Sequence, residues 1–110
     1  PDPKIQTVGM NSRLLGHTFG RKILNDFLNE LNFNLVIRGH QMEVNGFNWP
    51  FGENGGMLTV FSAPNYCGGS NSTAIAVLKN DDKVEICQFK WTPPPNPSLG
   101  QNIQTNLDKM

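Results

Sequence analysis

The chain has 110 residues, room for one core and too few for two. Nine Lys and Arg balance nine Asp and Glu, so no net field recruits nucleic acid or an anionic membrane. No apolar run approaches the ~18 residues of a membrane-spanning helix, and two cysteines are far below the density of a disulfide-stapled domain. Reduced thiols and a cytoplasmic or nuclear location are the expectation. The opening Pro1-Asp2-Pro3 has no initiator Met and no apolar leader, which is expected of a fragment.

Residues 1–16 are punctuated by Pro1, Pro3, Gly9 and Gly16 and read as an extended segment and loop. Arg13 is their conspicuous group. Phe19, Ile23, Leu24, Phe27, Leu28 and Leu31 recur at helical spacing, predicting a half-buried helix over residues 19–31 capped by Thr18. Asn32 and Asn34 end that pattern. Leu35-Val36-Ile37 then predicts a buried strand that delivers Arg38-Gly39-His40 at its C-terminal end.

Residues 42–45 alternate and predict a strand, followed by a turn through the aromatic group Phe47, Trp49 and Phe51. Glu53-Asn54-Gly55-Gly56 is a strong turn signal before a strand over residues 57–61. Residues 62–71 hold Pro64, Gly68 and Gly69 and read as a loop. Strands over 73–78 and 83–89 join at Asn80-Asp81-Asp82 as a hairpin, and Trp91 is expected to close the core. A Pro/Asn/Gln-rich tail over 93–110 follows the domain of residues 1–92. The resulting class is α+β, with one helix and mostly antiparallel strands.

Three groups stand out for chemistry: His40, Arg13 and Tyr66. His40 admits two readings, a metal ligand or an ordinary satisfied side chain; its place at a strand end favours the first. His17, near the helix start, reads as a solvated or capping side chain. Arg13 offers a planar fork to phosphate or carboxylate but also reads as a surface arginine. Tyr66 follows Pro64-Asn65 on a constrained loop that holds its hydroxyl as a donor, whereas Cys67 has no adjacent base to activate it. Asn71-Ser72-Thr73 matches a glycosylation sequon, and a polar turn is the plainer reading. No Ser/His/Asp order, phosphate-binding P-loop, dinucleotide fingerprint or catalytic carboxylate pair is present.

Residues 35–41, LVIRGHQ, followed by residues 58–68, LTVFSAPNYCG, resemble the C-terminal signature of the metal-dependent serine/threonine phosphoprotein phosphatases, the family of protein phosphatases 1, 2A, 2B (calcineurin) and 5. Supporting matches are Asp2-Pro3, which resembles the end of the family's Trp-Ser-Asp-Pro motif, then Arg13, Thr18-Phe19-Gly20, Gly46-Phe47 and Gln88-Phe89. The resemblance runs from Asp2 to Pro97, and its ending leans toward the calcineurin and protein phosphatase 5 branches. It implies the C-terminal part of a β-sandwich with flanking helices, in which two metal ions (manganese, iron or zinc) activate a water that attacks phosphoserine or phosphothreonine. It further implies His40 as a ligand of one metal, Arg13 as a clamp on phosphate oxygens, and Tyr66 as a hydrogen-bonding group near the phosphate and bridging water. Phosphoproteins and regulatory subunits or domains are the implied partners.

The departures are specific. The Gly-Asp-x-His-Gly, Gly-Asp-x-Val-Asp-Arg-Gly and Gly-Asn-His-Glu motifs, which hold most of the family's ligands, have no counterpart in this sequence. Gly39 stands where Ala or Ser is usual, Leu14-Leu15 replaces Gly-Val, and the loop after Cys67 is a residue shorter than in the type 1 enzymes. The expectation is a portion of a catalytic domain, inactive alone. A truncated or pseudophosphatase module that binds phosphoprotein or regulatory partners is the alternative, and an unrelated metal-binding β module a remote third.

Overall fold

The computed structural model describes residues 1–13 and 15–92, so the tail assigned to 93–110 lies outside the described residues. In chain order the elements are β1 (Val8–Met10), β2 (His17–Phe19), α1 (Arg21–Leu31), β3 (Val36–Arg38), β4 (Phe47–Asn48), β5 (Met57–Val60), a short 3-10 turn (Tyr66–Gly68), β6 (Thr73–Leu78) and β7 (Val84–Phe89). The α+β class holds. The described strands form a β1–β2 pair, a three-stranded sheet ordered β3-β5-β4, and a β6–β7 pair.

The segment read as loop contains β1, which pairs antiparallel with β2 and matches Val8 to Phe19. Phe19 therefore belongs to a strand, and α1 starts two residues later than expected. Its N-cap is Gly20, in extended conformation and with no side-chain cap, rather than Thr18. The cause is crowding: a Cβ on Gly20 would overlap the Ile5 carbonyl. The Gly20 N–H donates to Thr7 O at 2.7 Å and the Lys22 N–H to Gln6 O at 3.0 Å, so neighbouring backbone does the work of a cap.

The helix carries the predicted stripe inward. Leu24 and Leu28 pack with Phe51 and Met57, flanked by Phe19 and Val36. At its C-terminus Asn32 adopts the left-handed conformation (φ 53°), and the Phe33 N–H returns to Leu28 O at 2.9 Å. Arg21 reaches back to donate to the Phe51 carbonyl, with its guanidinium 5.8 Å from that ring's centroid.

β3 and β5 run parallel, matching Val36 to Met57 and Arg38 to Thr59, while β4 joins the other edge of β5 antiparallel. β5 is thus central, and its Leu58 and Thr59 are 0% and 1% exposed. β3 is less buried than the sequence predicts, because it forms the sheet edge and Ile37 faces solvent. The strand expected at residues 42–45 is absent: the Gly46 N–H closes a turn on Glu43 O at 2.9 Å, and pairing begins at Phe47. Gly46 has φ +79°, and a Cβ there would strike the Thr73 backbone, so hydrophobic alternation yields to a turn that only glycine completes.

The β6–β7 hairpin forms in register as predicted, from Thr73–Phe89 to Leu78–Val84. Its turn is closed by Lys79 N to Lys83 O at 2.9 Å and by an ion pair of Lys83 with Asp81 at 2.6 Å, which lowers the Asp81 carboxyl pKa. The hairpin is joined to the sheet by Ala74 N to Phe61 O at 3.1 Å and Ser62 Oγ to Ala74 O at 2.8 Å. Trp91 is 52% exposed and does not close the core. Packing instead converges on α1, and Leu24→Ala is expected to destabilise the chain by about 2–5 kcal/mol, read as a lowered urea midpoint.

Candidate functional site

Parallel pairing sends the C-terminal ends of β3 and β5 out of the same sheet edge. His40 follows β3 by two residues, and the loop bearing Tyr66 follows β5, so two of the three residues singled out in the sequence issue from one edge. Strand carboxyl ends are where rigid backbone gives way to accessible loops, the usual setting for a binding site.

His40 is exposed and left-handed, with φ 74°. The residues on either side are tied down through Arg38, whose Nη1 donates to Thr59 Oγ1 at 3.1 Å and to Gln41 Oε1 at 3.1 Å. One guanidinium thereby links the end of β3, the centre of β5 and the residue after His40. Sequence reasoning passed over Arg38 and Thr59; their direct registry across the parallel pair is the relation a linear reading misses.

The loop after β5 is built around Asn71, another residue the sequence reading did not place in a site. Its Oδ1 accepts the Tyr66 N–H at 2.8 Å and its Nδ2 donates to Ala63 O at 2.7 Å. The Tyr66 ring meets Phe61 edge-on, with centroids 5.2 Å apart and planes at 88°. Tyr66 is nonetheless 51% exposed, so its ring is supported on one side and open on the other. Burial of Asn71 also removes the sequon's acceptor from the surface, which leaves the polar-loop reading of residues 71–73.

Arg13 is in the β1–β2 connection. Its backbone N–H donates to Asn11 Oδ1 at 3.0 Å, shaping the turn, and its side chain is exposed. Among the described residues no hydrogen bond or ion pair joins it to His40 or Tyr66. His17 is exposed on β2. Cys67 and Cys87 are free thiols.

Near the Arg38 group, Glu43 has its Oε1 buried without a hydrogen-bond partner. Burial raises its carboxyl pKa, against the opposing pull of a hydrogen bond with Asn48 and of the Arg38 charge. A cavity of about 680 Å³ is bordered by Leu35 and Gly56, which precede β3 and β5, by Phe47 of β4, and by Val84 and Ile86 of β7.

Among the described residues no group of three His, Cys, Asp or Glu is gathered to hold a metal ion. His40 supplies one imidazole, and one donor does not retain a metal against water. The described residues do not by themselves fit the metal centre that the resemblance implies.

No family model matches the chain. Among solved structures it is similar to a protein serine/threonine phosphatase from Saccharomyces cerevisiae described as similar to human phosphatase PP5, at 26% identity and a TM-score of 0.69. The match covers 84% of this chain and 32% of that one, so the chain spans about a third of the length of the phosphatase it matches. The similarity supports a relation to the protein serine/threonine phosphatases and agrees with the resemblance carried by residues 35–41 and 58–68.

Glu43 makes the site edge sensitive to pH. With a folded pKa raised above the unfolded value of about 4.3, its contribution to stability is fully present below that pH and lost as pH rises through the folded value. Glu43→Gln is expected to remove that loss, flattening the fall in urea midpoint between pH 4 and pH 7; an unchanged slope would place the pH dependence elsewhere.

Proposed function

We propose that this chain is the C-terminal part of the catalytic domain of a metal-dependent protein serine/threonine phosphatase, which hydrolyses phosphoserine and phosphothreonine in proteins when the longer domain is complete. The observation that carries the reading is the structural similarity to the yeast phosphatase over most of this chain. In this proposal His40 supplies one ligand to a centre of two metal ions (manganese, iron or zinc), and the remaining donors come from a preceding segment. Arg13 grips the phosphate oxygens through its planar fork, and Tyr66 offers its hydroxyl beside them. The emergence of His40 and Tyr66 from one sheet edge supports a shared site. Regulatory subunits or domains and a cytoplasmic or nuclear location belong to the same proposal.

The 110-residue chain alone, given manganese, iron or zinc and a phosphothreonine peptide, is expected to release no phosphate above the blank. The longest chain encoded in frame with it is expected to carry the three upstream motifs and to release phosphate in a chelator-sensitive manner. Arg13→Ala in that longer chain should lower kcat/KM by about 10²–10³-fold, the loss typical of one transition-state charge donor. Metal-dependent release by the short chain would overturn the fragment reading. An inactive longer chain that lacks the motifs would favour a non-catalytic module binding phosphoprotein or regulatory partners.

A further inference from the structure

The loop between β5 and β6 bends through two non-glycine residues in the left-handed region, Asn65 at φ 50° and Cys67 at φ 52°, on either side of Tyr66. The 3-10 turn closes on its own backbone, with the Gly68 N–H donating to Asn65 O at 3.2 Å and the Gly69 N–H to Tyr66 O at 2.9 Å, but its N-cap makes no side-chain hydrogen bond. The side-chain restraint comes from five residues further along. Asn71 is 6% exposed, and its amide uses both ends: Oδ1 accepts the Tyr66 N–H at 2.8 Å, while Nδ2 donates to Ala63 O at 2.7 Å and Ser72 O at 3.1 Å. Its own carbonyl accepts the Asn65 N–H at 3.3 Å. One buried side chain and its backbone thus touch the loop before, beside and at Tyr66.

That clamp has a fixed base. The next residue, Ser72, donates its N–H to Val44 O at 2.9 Å, and Ala74 pairs with the end of β5 through Phe61 O. Asn71 thus immediately precedes the residues through which the hairpin is joined to the rest of the chain. Apart from the Asn71 amide, Tyr66 is held by the Gly69 N–H on its carbonyl and by the edge contact of its ring with Phe61.

We propose that Asn71 is the positioning residue for Tyr66: its buried amide sets the backbone that aims the tyrosine hydroxyl at the edge where His40 emerges. The importance of that aim for catalysis rests on the phosphatase reading; the clamp itself does not. An amide is specific to this task. Aspartate keeps the acceptor for the Tyr66 N–H and loses both donated bonds, whereas alanine loses all of them.

The full 110-residue chain tests the clamp without any reaction. Tyr66 is the sole tyrosine, so its ring resonances are unambiguous by nuclear magnetic resonance, and the Phe61 edge contact gives them a ring-current shift. In the unmutated chain the Tyr66 amide is expected to exchange at least about tenfold more slowly than an open loop amide. Asn71→Ala should abolish that protection and move the Tyr66 ring signals toward their unfolded positions, with the β6–β7 hairpin amides still protected. Asn71→Asp should retain the protection at Tyr66. Exchange of the Tyr66 amide at the unfolded rate in the unmutated chain, or unchanged ring shifts and exchange in Asn71→Ala, overturns the proposal; the first readout holds even where a variant fails to fold. In the longer phosphatase, Asn71→Ala and Tyr66→Phe should lower kcat with little change in KM, and the double variant should be no worse than the poorer single. Full additivity there overturns the link to catalysis. If the unmutated longer protein releases no phosphate, the functional reading fails while the resonance measurements still decide the clamp.

Discussion

Parallel pairing of β3 with β5 is the constraint on which the arrangement of the site depends. An antiparallel pair would send the two following loops to opposite ends of the sheet; the parallel one sends both to the same end. A parallel connection needs a crossover, and residues 39–56 supply one without a helix, laying β4 on the free edge of β5 on the way. β5 is consequently hydrogen-bonded on both sides, and Leu58 and Thr59 are sealed from water. Thr59 is a polar residue in that position, and its hydroxyl is satisfied by Arg38 directly across the pair. The strand that is hardest to move is therefore the one that fixes the edge from which His40 and Tyr66 project.

Rigid strands do not by themselves hold the loops. His40, Asn65 and Cys67 each sit in the left-handed region, at a cost on the order of 1 kcal/mol or more apiece for residues with a Cβ. Such conformations persist where their surroundings over-determine them. Arg38 serves that purpose on the β3 side, through Thr59 and Gln41, and Asn71 on the β5 side, through Ala63, Asn65 and Tyr66. Both restraints are polar side chains braced on the same small sheet, so the strain in the loops is borne by its hydrogen bonding rather than by apolar packing.

The elements legible in the sequence were those whose signal is local. The 3.6-residue stripe of α1, the apolar run of β5 behind its Glu-Asn-Gly-Gly turn and the Asn-Asp-Asp turn of the last hairpin each carry their own period or punctuation, and each formed within a residue or two of its expected bounds. Elements settled by distant neighbours were misread. Thr18 has a good capping side chain, but the approach of the Ile5 carbonyl leaves space only for glycine at the cap, and β1 then claims Thr18 as a strand residue. Residues 42–45 alternate like a strand, yet Gly46 must pass close to Thr73, and the chain turns there. The position of His40 and Tyr66 after strand ends was legible in the sequence, whereas Arg38 and Asn71 act across sequence separations that periodicity does not encode.

The remaining apolar surface connects stability with chemistry. Beside the small core of Leu24, Leu28, Phe51 and Met57 there is an open apolar cavity of about 250 Å³, walled by Phe19, Ile23, Phe27 and Val36. Phe27, Leu31, Phe33 and Ile37 are also substantially exposed. At about 25 cal/mol for each Å² of apolar surface removed from water, covering even part of this area stabilises a chain whose own core is modest. Among the described residues His40 is joined by no group of further His, Cys, Asp or Glu donors, just as one side of the helix is left open. On the proposed reading a single preceding segment answers both, since a matching phosphatase has about two thirds of its length outside the region shared with this chain. On that reading, stability and chemistry are linked: the segment that brings the further ligands to His40 also buries apolar surface on a chain that already holds its own small core.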